Sequence, residues 1–236
     1  MTSDSNAQSV ETLDGNRFAF TDRSLAGWEI ASVMSSILIA EWMAATAAGF
    51  AKAIIAIPVA LAILIVILSH RLRRESLRDI GFRFDNLLKA LSILAVPVLA
   101  TALLCLLVGW KLGTPVNFLR WHPNRHVVLQ FAVGFCWALA QQYVLQGFVN
   151  RRAMIWTGRG WGSVLVVAAI FALLHLPNVW ITAITFVGGF IWAAIYQRVP
   201  NLFALAITHS LMTWFIVSTL PPTALHHLRV GLGYFF

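Results

Sequence analysis

Apolar residues run along this chain in long blocks, and polar residues collect in the short stretches between them. Seven blocks are read as helices of membrane thickness: Leu25–Gly49, Ala53–Ser69, Leu87–Trp110, His126–Val149, Gly162–Leu176, Val179–Tyr196 and Asn201–Leu220. A hydrocarbon core of about 30 Å needs about 20 residues of helix. The first two blocks are expected to form a tight hairpin through Ala48–Lys52. Met1–Ser24 is polar, mildly acidic and without a periodic apolar face, which predicts a disordered cytoplasmic tail. It lacks the short apolar core and small-residue cleavage site of a signal peptide. The fifth block ends at Pro177 after about 15 residues, roughly 22 Å. Short spans beside buried polar groups are tolerated where they line a cavity, so a chamber is expected beside this one.

Composition agrees with the bilayer reading. Of 236 residues, 59% are hydrophobic and only 11% are charged, and the mean hydropathy is +0.79. Cys105 and Cys136 both lie in apolar runs and read as buried thiols, with no disulfide or metal spacing. The formal charge of +8 does not point to nucleic acid, because its arginines sit in the loops between spans. With the amino terminus inside, 12 of the 17 Lys and Arg residues fall on the inner side, which predicts that orientation; the membrane expected is the plasma (cytoplasmic) membrane. The basic loop Arg71–Arg83 is expected to lie along anionic lipid headgroups.

The polar residues inside the apolar blocks carry the chemistry. Gln141, Gln142 and Gln146 interrupt the fourth block, with Gln142 and Gln146 four apart on one helical face. His175 closes the run Phe171–His175 and His209 opens the run His209–Thr213. At 1.5 Å per residue, Gln141 lies roughly 15 Å, His175 roughly 19 Å and His209 roughly 13 Å from the inner membrane edge. Three spans therefore bring polar groups to one layer, where an unpaired amide or imidazole is costly. Each group also has a partner four residues away, in Gln142/Gln146, Phe171/His175 and His209/Thr213. Such groups serve either as hydrogen-bonding glue between helices or as a reactive site, and their convergence favours the site.

This pattern resembles the CAAX-processing and bacteriocin-processing (CPBP, or Abi) intramembrane proteases. That family carries Glu-Glu-x-x-x-Arg on one span, Phe-x-x-x-His on the next, and His-x-x-x-Asn later. The similarity runs from about Leu87 to Leu220, with Leu77–Phe84 similar to the family's pre-core loop. It implies that a first-motif glutamate and the histidines activate a water against a peptide bond within the membrane. Gln141 and Gln142 stand at the paired glutamates and Gln146 at the arginine. His175 and His209 match the two histidines, Phe171 the aromatic, and Thr213 the asparagine position.

Glutamine keeps the shape of glutamate but does not ionise near pH 7, so Gln141 and Gln142 do not act as general bases. Losing two acids and one arginine together leaves no stranded charge among the motif residues. No Asp or Glu follows Asp85. Glu41, on the first span, is the acid expected at depth, roughly 21 Å from the inner edge. It is either a neutral group hydrogen-bonded to a neighbouring helix or a substitute acid for the missing base. Two histidines and neutral amides form a poor divalent site, so no zinc or other cofactor is expected.

The expected architecture is all-α, a multi-pass transmembrane bundle of about seven spans. It comprises the tail over 1–24 and one transmembrane domain over 25–236, with the CPBP-like core at about 87–220. The function expected is an intramembrane endopeptidase with His175, His209, Gln141 and Gln142 at its centre, and Gln146, Phe171 and Thr213 positioning a membrane-embedded or membrane-anchored substrate. The alternative is a pseudoprotease that binds membrane peptides or partner proteins without cutting them. A small-solute transporter is disfavoured, because no internal repeat or charged pathway is visible.

Overall fold

A computed structural model of the chain describes residues 4–44, 54–120 and 127–236, with side chains at nearly all positions from Asp22 onward. Among the described residues the chain is all-α, without strands. Helix α1 (Asp4–Ala44) is followed by α2 (Ala56–Leu72), the short α3 (Leu77–Ile80) and α4 (Leu87–Lys111). Then α5 (Val127–Gln142) runs unbroken into a π-helical segment (Tyr143–Asn150) and on into α6 (Arg151–Thr157). Helices α7 (Trp161–Leu173), α8 (Val179–Arg198) and α9 (Leu202–Thr219) complete the bundle, and 3-10 turns follow at His226–Leu228 and Gly231–Phe235. Helices α4, α8 and α9 are long and apolar enough to cross a membrane, and α2 and α7 are shorter apolar helices. A helix stands at each of the places the hydrophobic pattern assigns one.

Three expectations change. The first helix begins at Asp4, not near Leu25, so the backbone of the polar segment is helical from residue 4 on. Asp4–Ser24 contains no proline, and an apolar helix already nucleated at Leu25 extends backward at little cost. Helix α7 ends at Leu173, so His175 lies on the turn beyond it. That turn is tightened by His175 N–H to Ala172 O (2.9 Å) and Leu176 N–H to Leu173 O (3.3 Å), before Pro177, which has no N–H to give. Cys136 is exposed on the outer face of α5, while Cys105 is buried as expected. The hairpin expected at Ala48–Lys52 lies outside the described residues.

The π segment is the hub. It touches α3, α7, α8 and α9, and Leu145, Phe148 and Val149 within it are buried in the main apolar cluster. In lipid, burying these residues is not driven by escape from water; close packing and hydrogen bonds hold the helices together. Gly147 permits one such approach, because a Cβ there would sit 2.8 Å from Ile80 Cγ2. Gly189 permits another, where a Cβ would meet Ala168 Cα and the Phe171 Cβ at 3.3 Å. That contact seats α8 on α7 and fixes Phe171.

A buried charge cluster fastens the first two helices to this hub. Arg152, wholly inaccessible, donates to both carboxylate oxygens of Glu75 (2.9 and 2.7 Å) and to Ser69 Oγ (2.8 Å). Its Nε lies 3.3 Å from Glu29, and its guanidinium caps the Phe148 ring at 5.2 Å. His70 Nδ1 meets Glu75 at 2.5 Å and Arg151 donates to Glu75 at 2.7 Å. Burial alone would raise the Glu75 carboxyl, but hydrogen bonds from His70, Arg152 and Arg151 and the Arg152 charge outweigh it and hold it well below the usual carboxylate range. Arg73 joins the same cluster through Glu29 (2.8 Å) and Asp22 (3.0 Å). The basic loop is therefore divided: Arg73 serves the cluster, while Arg71, Arg74 and Arg78 are exposed.

Candidate functional site

Of the polar residues singled out in the sequence, Gln142, His175 and His209 are brought together where α5, α7, α8 and α9 meet. Gln142 is the last residue of α5 and Gln146 lies one turn on, in the π segment; both are wholly buried. Gln142 Nε2 lies 3.1 Å from His209 Nδ1. A primary amide nitrogen only donates, so His209 Nδ1 is the acceptor and the ring proton sits on Nε2. His175 has the opposite arrangement. Its Nδ1 lies 2.7 Å from the Phe171 carbonyl oxygen, which only accepts, so Nδ1 carries the proton and Nε2 holds the lone pair.

Phe171 ties the two imidazoles together. Its ring stands edge-on to His175 at 4.9 Å and to His209 at 5.9 Å between centroids. Trp192 of α8 covers His209 at 4.6 Å. Sequence reasoning missed Trp192, whose spacing from the other motif residues gives no signal. Gln141 and Thr213 are half-buried and take no part in the hydrogen bonds of this group. Glu41 lies on α1, partly buried under the C-terminal 3-10 turn: a Cβ on Gly231 would lie 3.1 Å from its Oε1, a buried atom without a hydrogen-bond partner among the described residues. Gly231 in turn donates to Leu176 O at 2.7 Å, so Glu41 is joined to the His175 turn through one glycine. A cavity of about 360 Å³ between the ends of α4 and α9 is lined by Leu106, Trp110, Val116 and Thr219 among others. It is not the chamber expected beside His175.

Residues 123–215 match the Rce1-like family, described as type II CAAX prenyl endopeptidase Rce1-like. The match holds every candidate residue except Glu41. Neither a curated protein nor a solved structure matches the chain. The resemblance to the CPBP proteases thus stands on this stretch, 93 of the 236 residues. The acids that neutralise Arg152, Glu29 and Glu75, come from outside the Rce1-like stretch.

Behind the histidines, the Rce1-like stretch contains an amide chain that sequence reasoning did not single out. Asn150 Nδ2 donates to Gln146 Oε1 (2.8 Å) and to Ala193 O (3.2 Å). Gln197 Nε2 donates to Asn150 Oδ1 and to Ser163 Oγ, both at 2.9 Å. Gln197 Oε1 accepts from the Gly160 N–H at 3.1 Å. The available signal was periodicity: Gln142, Gln146 and Asn150 recur every four residues on one face. Two buried atoms of this row, Gln142 Oε1 and Gln146 Nε2, have no protein partner.

Proposed function

We propose that this protein is an intramembrane endopeptidase that hydrolyses peptide bonds of membrane-embedded or membrane-anchored substrates through His175 and His209. The observation that carries this reading is the complementary state of the two imidazoles: one offers a lone pair, the other an N–H. His175 Nε2 accepts a proton from water as the water oxygen attacks the peptide carbonyl carbon. The N–H at His209 Nε2 donates to the oxygen on which negative charge develops. As the C–N bond breaks, the proton on His175 passes to the leaving nitrogen, and the base is restored. A positioned base supplies about 10²–10⁴-fold and one oxyanion donor about 10²–10³-fold, so a slow peptidase is the expectation. Gln142 holds the His209 tautomer, Phe171 fixes both rings, and Gln146, Gln141 and Thr213 border the site.

A metal does not fit this donor set. In this arrangement the His209 Nδ1 lone pair is already used by Gln142, leaving one imidazole lone pair where a catalytic zinc takes three protein ligands. No step is routed through one. Glu41 is assigned a packing role beneath Gly231. We place the amino terminus on the inner side of the plasma membrane, on the distribution of Lys and Arg.

A second reading, a pseudoprotease that binds membrane peptides, is favoured by one observation: both first-motif acids are glutamines, and no Asp or Glu follows Asp85. Purified protein incubated with a library of membrane-anchored peptides separates the two. Cleavage that disappears in His175→Ala supports the peptidase. Saturable binding without cleavage overturns it in favour of the pseudoprotease.

A further inference from the structure

The amide chain has a direction, and backbone groups set it. Gln197 cannot be turned over, because its Oε1 faces the Gly160 N–H, which only donates. Asn150 cannot be turned over either, because its Nδ2 faces the Ala193 carbonyl, which only accepts. Asn150 therefore presents a donor to Gln146, whose Oε1 accepts it at 2.8 Å. That fixes Gln146 Nε2 as a donor pointing onward, and it is one of the two buried atoms of this row without a hydrogen-bond partner among the described residues. The other is Gln142 Oε1, an acceptor four residues earlier on the same face. A buried donor and a buried acceptor left over on side chains four residues apart are the complement of one water, which accepts from Gln146 and donates to Gln142. With Gln142 reversed, the water would face two donors, and neither of its own protons would have an acceptor in the pair.

We propose that Asn150 and Gln197 are positioning residues for His209, acting through this chain and one water held between Gln142 Oε1 and Gln146 Nε2. The orientation of two backbone groups, Gly160 N–H and Ala193 C=O, is thereby relayed to the imidazole. Each link keeps the next amide facing one way, and the last, Gln142 Nε2 to His209 Nδ1, holds the ring proton on Nε2. The direction of the chain stands by itself. Its meaning for catalysis rests on the peptidase reading above.

The test is the nitrogen-15 spectrum of histidine-labelled protein in lipid nanodiscs, with the His209 signals assigned by their loss in His209→Gln. The two ring nitrogens of a neutral imidazole differ by tens of ppm according to which carries the proton, so the tautomer is read directly. The wild type is expected to be protonated at Nε2 alone. Asn150→Leu, and independently Gln197→Met, are expected to give a mixture of the two tautomers while His175 keeps its Nδ1 proton. The two variants are scored only where melting shows a folded protein, and the wild-type spectrum tests the direction of the chain without them. A wild-type His209 protonated at Nδ1, or an unchanged tautomer in a folded variant, overturns the proposal. Because the spectrum needs no substrate, a protein that cuts nothing but shows the expected tautomers would sink the peptidase reading alone. If cleavage is measured as well, Asn150→Leu lowers kcat about ten-fold with KM little changed.

Discussion

Gln142 donates its side-chain amide to Nδ1 of His209 across 3.1 Å, joining the end of α5 to the middle of α9. A glutamate in the same place would accept from this nitrogen instead. Glutamine and glutamate at this position would therefore run the hydrogen bond in opposite directions and hold the ring proton on opposite sides of the imidazole, within an almost unchanged shape.

Gln142→Leu removes that bond while keeping the volume. Cleavage of a membrane-anchored peptide is expected to fall about 10–100-fold, as when the partner that orients a functional histidine is lost. A rate within two-fold of wild type would show that Gln142 packs and does nothing more.

Glu41→Gln is expected to leave cleavage intact, since the carboxyl sits beneath Gly231 and the base is assigned to His175. Turnover assayed beside His175→Ala decides this. Loss of activity in Glu41→Gln would transfer the role of base to the acid on α1.

Arg152→Met leaves Glu75 and Glu29 without their central cation. Breaking one side of a buried ion pair costs about 3–5 kcal/mol, so a marked fall in melting temperature is expected in detergent. Adding Glu75→Gln to Arg152→Met is expected to recover part of it. A single variant as stable as the wild type would contradict the role given to the cluster.

Stability should also depend on acid through Glu75. Its folded pKa is depressed below the unfolded value of about 4.3. The contribution is therefore complete above that value and is lost as pH falls from about 5 toward the folded pKa. Melting curves from pH 7 to pH 3 should show a decline at the acid end that is shallower in Glu75→Gln. Asp79 and Asp85 are depressed as well, by hydrogen bonds from Ser76 and Arg83 respectively. Both are exposed and remain in the variant, so the difference between the two curves reports Glu75 together with its charge coupling to Asp79.

Gly147→Ala places a methyl 2.8 Å from Ile80 Cγ2 and 3.1 Å from the Tyr143 ring. Overpacking of this kind costs about 1–3 kcal/mol. The melting temperature is expected to drop, and replacing the opposing side chain by one without the β-branched Cγ2 methyl, in Gly147→Ala/Ile80→Leu, should restore part of the loss.

The helices and the meeting of Gln142 with His209 were legible in the sequence because both follow from regular spacing. Apolar blocks count out membrane thickness, and a rise of 1.5 Å per residue puts groups from separate spans at one depth. What was not legible depends on contacts between segments far apart in the chain. Arg152 looked like a loop arginine until Glu75, His70 and Glu29 came to it from the other half. The π segment has no signature in composition, yet it sets which faces of Gln142, Gln146 and Asn150 turn inward. Trp192 reaches His209 only because Gly189 lets α8 lie close on α7.

The pairing of Arg152 with Glu29 and Glu75 also bears on the order in which the protein is built. Both acids precede Arg152 in the chain, so synthesis delivers them before the arginine that needs them. The stretch 123–215, cut out and expressed alone, would carry a cation with no counter-ion into lipid. The unit that folds is therefore longer than the matched stretch.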